Sequence, residues 1–203
     1  MPDMNRDAYN IIAQDWDAAR QGFVGRERVY LDAVLAAVPE GAVVLDLGCG
    51  SGRPMAEYVA ARGRRVLGMD QSEALLDIAR ARLPQAQWVL SAMEVYAPPA
   101  GIRGAILWDA LFHVARADHA RILHGLVRRL PSGGRLMLTV GGSDQPAFTD
   151  TMFGQTFFYD SHTPATVDRM LLDLGCRSVI AEFMDRPDGG RNRGRYAIVA
   201  EKA

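Results

Sequence analysis

The stretch Ala42-Val43-Val44-Leu45-Asp46-Leu47-Gly48-Cys49-Gly50-Ser51-Gly52 constrains this chain more than any other. Its first half is apolar apart from one Asp and is too brief for a helix. Continuous rather than alternating apolarity marks a strand covered on both faces, the habit of a parallel sheet. Parallel neighbours need a crossover of about a dozen residues or more, usually a helix, so this strand commits the chain around it to a β-α-β order. The glycines let the backbone turn tightly at the strand's end and approach a ligand with no Cβ in the way. In such sheets ligands gather at the carboxyl ends of strands, near the point where strand order reverses.

The rest of the 203 residues keeps that alternation. Ile11, Ile12, Ala13 and Trp16 recur at helical spacing and predict a helix over 4–19; a second, over 26–38, is closed by Pro39-Glu40-Gly41. Further helices are expected near 53–62, 72–82, 117–130 and 164–174. Strands are expected at 65–69, 88–90, 104–108, 135–140, 178–184 and 195–200. Only 185–194 joins the last two, too little for a helical crossover, so that pair should be antiparallel. The expectation is a Rossmann-like, doubly wound α/β fold of about seven strands, mostly parallel, with an antiparallel strand near the C-terminus. It would be a single domain over 1–203, with covering helices in 1–40 and a lid loop over 141–162.

Charge and cysteine usage remove several function classes. A net charge of -1 leaves no global basic field to hold a phosphate backbone, so no nucleic-acid partner is expected. The cluster Arg186, Arg191, Arg193 and Arg195, interrupted by Asp185 and Asp188, reads as a solvated loop and strand edge. Cys49 and Cys176 fit neither a disulfide framework nor a zinc site, and the four histidines are scattered, so no metal is expected. His119 and His124 fall on the 117–130 helix and are expected at the surface. The opening Met1-Pro2-Asp3-Met4-Asn5-Arg6 lacks the basic-then-apolar profile of a signal peptide, and no apolar run approaches membrane-spanning length. A cytoplasmic location without membrane contact is the expectation, and the pattern fixes no oligomeric state.

Spacing in the glycine turn separates candidate ligands. Dinucleotide sites use Gly-x-Gly-x-x-Gly, whereas here the third glycine comes one residue early, at Gly52, and Arg53 holds the expected place. Asp46 precedes the first glycine by two residues; its carboxylate would repel a pyrophosphate and pair with a cationic amino group. Met69-Asp70 ends the next strand, where an acid can accept hydrogen bonds from both ribose hydroxyls. An α-ammonium, a carboxylate, a sulfonium and an adenosine, as in S-adenosylmethionine, suit this arrangement.

Here the chain resembles the class I S-adenosylmethionine-dependent methyltransferases, specifically their small, single-domain, small-molecule branch. The resemblance runs over nearly the whole length. It includes Tyr9-Asn10-Ile11-Ile12-Ala13-Gln14-Asp15-Trp16-Asp17, Leu45 to Gly52, Gly68-Met69-Asp70-Gln71-Ser72, Trp108-Asp109-Ala110-Leu111-Phe112-His113-Val114 and Leu130-Pro131-Ser132-Gly133-Gly134. The resemblance implies that Asp46, Gly48, Cys49 and Gly50 hold the methionine end. Asp70 would hold the ribose, with Gln71 beside the adenine, and Tyr9 and Trp16 would close over the cofactor. Trp108 would sit near the sulfonium. Many relatives carry an Asp after the third strand, where this chain has Ala92, so adenine recognition is expected to fall to Met93 and to Glu94 or apolar packing.

A sulfonium is already an activated leaving group, so transfer needs alignment, exclusion of water and, for some acceptors, removal of a proton. The candidate bases are Asp109, His113 and His162. The aromatic-rich 141–162 stretch is long for an αβ connection and is expected to line an acceptor pocket. The acceptor atom is open among oxygen, nitrogen, carbon and sulfur. A non-catalytic S-adenosylmethionine-binding module remains an alternative, as does a dinucleotide-dependent oxidoreductase, which Gly52 and Asp46 disfavour.

Overall fold

The strand that opens the glycine turn is buried on both sides. In the computed structural model, which describes residues 2–189 and 192–203, Val44, Leu45 and Leu47 are each exposed by 1% or less. The order of elements is α1 (Pro2–Ala19), α2 (Glu27–Leu35), β1 (Val43–Leu47), α3 (Met55–Ala61), β2 (Arg65–Asp70), α4 (Glu73–Arg82), β3 (Gln87–Leu90) and β4 (Ile102–Leu107). There follow a 3-10 turn (Leu111–His113), α5 (Arg116–Val127), β5 (Arg135–Gly141), β6 (Phe148–Met152), β7 (Gln155–Tyr159), α6 (Pro164–Asp173), β8 (Cys176–Asp185) and β9 (Arg195–Lys202).

Seven strands form one sheet in the order β3-β2-β1-β4-β5-β9-β8. β1 pairs in parallel with both β2 and β4, so the strand order reverses there. β9 runs antiparallel to both β5 and β8 and is the one reversed strand, which bears out the expected fold. Side chains alternate across each strand. Val44, Val66, Ile106 and Met137 pack with Tyr30, Leu31 and Val34 of α2 and Val59 of α3. Leu45, Leu67, Leu107 and Leu138 face Leu123 and Leu126 of α5 and Val167 and Leu171 of α6. The helix starts follow ordinary capping chemistry. Ser72 accepts a hydrogen bond from Leu75 N before α4, and Thr163 caps α6 with Pro164 in its first turn.

Three expectations differ from what is observed. Residues 141–162, expected as a lid loop, contain the hairpin β6–β7, a two-stranded sheet of its own. Its turn, Phe153-Gly154, has positive φ at both residues (48° and 76°), the twist that a two-residue hairpin favours. Phe157 of β7 is fully buried against Ala8 and Ile12 of α1. His119, expected at the surface, is 0% exposed, because it lies on the face of α5 that also carries Ile122 and Leu123; its Nε2 bonds the Val114 carbonyl at 3.0 Å. Arg195, expected in a solvated edge, is half-buried and paired with Asp109 and Asp185; Arg191 lies outside the described residues. No described helix is long and apolar enough to cross a membrane.

Candidate functional site

The carboxyl ends of β1, β2 and β4 meet at the switch point, and a cleft of about 870 Å³ opens there. α1 forms its far wall. Every residue expected to hold the cofactor lines this one cleft: Tyr9, Trp16, Asp46, Gly48, Cys49, Gly50, Asp70, Gln71, Met93 and Trp108. Asp109 and His113 line it as well. His162 does not: its Nε2 bonds the Arg116 carbonyl at 3.1 Å, and its ring stands edge-on to His119.

The glycine turn is held by its own N–H groups. Gly48 N and Cys49 N both donate to the Met69 carbonyl, at 2.7 and 3.0 Å, and Gly50 N donates to Asp70 Oδ2 at 2.8 Å. These three donors are therefore spent on β2 and do not face the cleft as bare N–H groups. Gly48 has φ 75°, and a Cβ on it would stand 2.5 Å from the Ala110 Cβ, so two requirements converge on glycine.

The acids differ in how they are held. Asp70 accepts from Gly50 N and from Ser72 N, each at 2.8 Å, so each oxygen keeps a lone pair in hand. Burial raises its pKa, and the backbone bonds from Ser72, Gly50 and Gln71 oppose that rise. Asp46 is only 3% exposed, and among the described residues no hydrogen bond or ion pair reaches its carboxylate. Burial and the neighbouring Asp70 charge push its pKa up to about 7. A carboxylate in this state is costly unless a cation is brought to it. Cys49, in the same wall, keeps its proton, because burial and both acids raise its pKa.

On the opposite side, His113 is fixed at both ring nitrogens. Nδ1 meets the Phe158 carbonyl at 3.0 Å, which can only accept, so Nδ1 carries the proton and Nε2 accepts from the Tyr9 hydroxyl at 3.0 Å. Burial lowers its pKa to about 4. Asp109 has φ 48°, an uncommon conformation for a non-glycine residue. Its N–H donates to Thr139 Oγ1 (2.7 Å), the Thr139 hydroxyl donates back to Oδ1 (3.2 Å), and Oδ2 pairs with Arg195 at 3.1 Å. Burial raises its pKa while Arg195 opposes.

Two charged residues of the cleft escaped the sequence reading. Arg20, just past α1, lines the cleft and pairs at 3.1 Å with Glu27, which is 0% exposed and also accepts from Trp108 Nε1 (2.9 Å) and Val24 N (2.9 Å). Trp108 thus points its ring nitrogen to α2 and presents ring surface to the cleft. The one available signal was an Arg and a Glu flanking the Gly22–Gly25 bend. Arg53 also lines the cleft and bonds Glu57 and Gln21. No group of three or more His, Cys, Asp or Glu among the described residues could hold a metal ion.

A family model described as a methyltransferase domain matches residues 44–134, from β1 to the start of β5. The trans-aconitate 2-methyltransferase of Azoarcus sp. is 36% identical over 122 residues, 56% of this chain and 46% of that one. A tRNA (carboxymethyluridine(34)-5-O)-methyltransferase of Macaca fascicularis is 32% identical over 113 residues, 55% of this chain and 16% of that one. The chain spans about half or less of the length of these curated relatives. Among solved structures, the Burkholderia thailandensis 1,6-didemethyltoxoflavin-N1-methyltransferase, with 1,6-didemethyltoxoflavin and S-adenosylhomocysteine bound, superposes with a TM-score of 0.72 at 20% identity over 98% of this chain and 88% of that one. The fold is that of a Rossmann-like α/β protein with a cleft at its topological switch point. More particularly, residues 44–134 match a methyltransferase domain, and the fold is shared with that solved methyltransferase.

Proposed function

We propose that this protein transfers the methyl group of S-adenosylmethionine to a small-molecule acceptor. The observation that carries this reading is Asp46, a nearly buried carboxylate without a partner among the described residues, standing beside Asp70 in the switch-point cleft. An α-ammonium supplies the missing countercharge; a pyrophosphate would add a third negative group to the two acids. Bound there, S-adenosylmethionine would supply a methyl group on a sulfonium, already an activated leaving group.

In this reading Asp46 takes the ammonium. The N–H groups of Gly48, Cys49 and Gly50 are committed, so Arg20 takes the carboxylate while the turn shapes the floor. The spare lone pairs of Asp70 take the ribose hydroxyls. Gln71, Ser91, Met93 and Glu94 line the adenine end in place of the acid that Ala92 lacks. Tyr9 and Trp16, edge-on to each other at 5.7 Å, close the cleft from α1 and exclude water. Trp108 walls the sulfonium side. Asp109 and His113 line the acceptor side: His113 is engaged at both ring nitrogens, whereas Asp109 keeps a lone pair on each oxygen and is the candidate base, while His162 takes no part.

The acceptor is read as a small molecule. The Azoarcus relative acts on trans-aconitate, a carboxylic acid, and the Burkholderia neighbour on a heteroaromatic compound. The tRNA-modifying relative keeps a nucleic-acid acceptor in view, but the net charge of -1 weighs against it. Both cysteines are free thiols, in keeping with a cytoplasmic protein.

Isothermal titration with S-adenosylmethionine, S-adenosylhomocysteine and NAD tests the reading. Wild type should bind both sulfur nucleotides and not NAD, and Asp70→Ala should lose that binding. Binding of NAD alone, or of none of the three, would overturn it. Binding with no turnover of any acceptor would favour a non-catalytic module.

A further inference from the structure

Glu27, the first residue of α2, is set behind the cleft rather than in its lining, and is 0% exposed. Its Oε1 accepts from Arg20 Nη1 (3.1 Å) and Trp108 Nε1 (2.9 Å), and its Oε2 from Arg20 Nη2 (3.4 Å) and Val24 N (2.9 Å). We propose that Glu27 is a positioning residue for the methyl donor: it holds Arg20 in place to take the amino-acid carboxylate of S-adenosylmethionine. The proposal rests on the methyltransferase reading and adds to it the residue through which that arginine acts.

Each carboxylate oxygen takes two donors, so the lone-pair positions of Glu27 are filled. A buried charge is costly unless it is satisfied in this way. The donors come from three places. Arg20 and Val24 belong to the bend between α1 and α2, Glu27 starts α2, and Trp108 follows β4. One side chain therefore clamps the bend against the carboxyl end of the sheet, where Arg20 and Trp108 both line the cleft.

A clamp that served the fold alone could often be replaced by apolar packing at little cost. Apolar packing cannot hold an arginine in place with donors to spare. The guanidinium gives one N–H from each terminal nitrogen to Glu27, and among the described residues its side chain has no other hydrogen bond or ion pair. Its remaining N–H groups are free for a ligand, and its long side chain is ordered before the ligand arrives. An α-amino acid carries ammonium and carboxylate on one carbon, so a cleft that offers Asp46 to the first needs a cation for the second. Arg53 also lines the cleft, but it bonds Glu57, whose side chain is 35% exposed, and Gln21 in an exposed contact. Water screens a hold of that kind. The Arg20 hold is buried.

Calorimetric titration of the full chain should compare S-adenosylmethionine with its decarboxylated analogue, which keeps the adenosine, the sulfonium and the amine. Wild type should prefer the intact compound by about 10- to 100-fold, the worth of hydrogen bonds between charged groups. Glu27→Gln keeps the shape but puts an amide nitrogen where a donor points. It should weaken S-adenosylmethionine about 10-fold and shift the analogue by less than about 2-fold. Arg20→Lys keeps the charge without the planar fork and should show the same selective loss. Adding Glu27→Gln to Arg20→Lys should then cost less than about 2-fold more, because one residue acts through the other. Failure of wild type to bind S-adenosylmethionine sinks the methyltransferase reading itself. If it binds, equal preference for the two compounds overturns the positioning proposal alone. So does a Glu27→Gln variant that binds both as wild type does, or that weakens or loses both alike, which would assign Glu27 to the fold. Additive losses in the double variant, or a selective loss in Arg53→Lys that Arg20→Lys lacks, would overturn it too.

Discussion

Asp46 is the residue on which sequence, energetics and function press hardest. Its folded pKa, about 7, lies above the ordinary 3.8 of an aspartate. The stability linked to this group is therefore present in full below about pH 4, and is lost as pH rises towards 7. Asp46→Asn removes that loss. The ligand-free variant should be more stable than wild type at pH 8, by about 4 kcal/mol at most, and the gap should close towards pH 4. Thermal melts of both proteins from pH 4 to 8 check this; a gap that does not change with pH would mean that Asp46 is not the strained carboxylate described here. The same substitution should weaken S-adenosylhomocysteine binding by about 10- to 100-fold, the worth of a charge-assisted hydrogen bond, as titration calorimetry would read. The two effects have opposite signs, as expected of a group kept for binding at a cost to the fold. Asp46 was legible in the sequence because an acid two residues before a glycine turn has few structural uses. Arg20 and Glu27 were not, since their pairing depends on how the bend between α1 and α2 folds, and neither sits in a periodic pattern.

At the scale of elements, the cleft is closed by a contact between α1 and the hairpin that no motif announced. The Asn5 side chain accepts from Phe158 N (2.7 Å) and donates to Phe158 O (3.0 Å), so it pairs with β7 as a neighbouring strand would. It also reaches the His113 carbonyl at 3.2 Å. Asn5→Ala removes the partner of the buried Phe158 N–H and one donor each to the Phe158 and His113 carbonyls, the former keeping His113 Nδ1–H, and should cost about 1–3 kcal/mol. Because α1 carries Tyr9 and Trp16, the loss should also show as faster proteolytic cleavage within α1 and weaker cofactor binding; unchanged cleavage would separate α1 docking from Asn5. The main sheet was readable because buried strands and helical periodicity are local patterns. The hairpin was not: 148–159 shows weak alternation, with Phe157 and Phe158 adjacent, and its core is supplied by α1 from far along the chain. A second test lies in the sheet itself. A Cβ on Gly68 of β2 would stand 2.3 Å from the Trp88 ring of β3 and 2.9 Å from Cys49 Sγ. Gly68→Ala should therefore destabilise by about 1–3 kcal/mol through overpacking, and urea melts should show the midpoint fall with the slope preserved.

For the whole molecule, the decisive fact is that the cleft is built from both ends of the chain. α1 closes what β1, β2 and β4 floor, the hairpin backs α1 through Phe157, and the reversed strand β9 contributes Arg195, which pairs with Asp109 of the cleft. A ligand there binds only when all of these are in place, so its affinity is stability for the assembled fold and for no part of it alone. At about 100 times its dissociation constant, S-adenosylhomocysteine should add about 2.7 kcal/mol, which for a domain of this size is a rise in melting temperature of about 5–10 °C. NAD at the same excess should give none. Hydrogen exchange should place the gained protection at α1, at the carboxyl ends of β1 and β2, and in β7, and not at the edge strand β8. Protection confined to the glycine turn would mean that the ligand is held by the floor alone, with α1 and the hairpin playing no part in closing over it. Protection reaching β7 would show that cofactor binding orders the hairpin that backs α1.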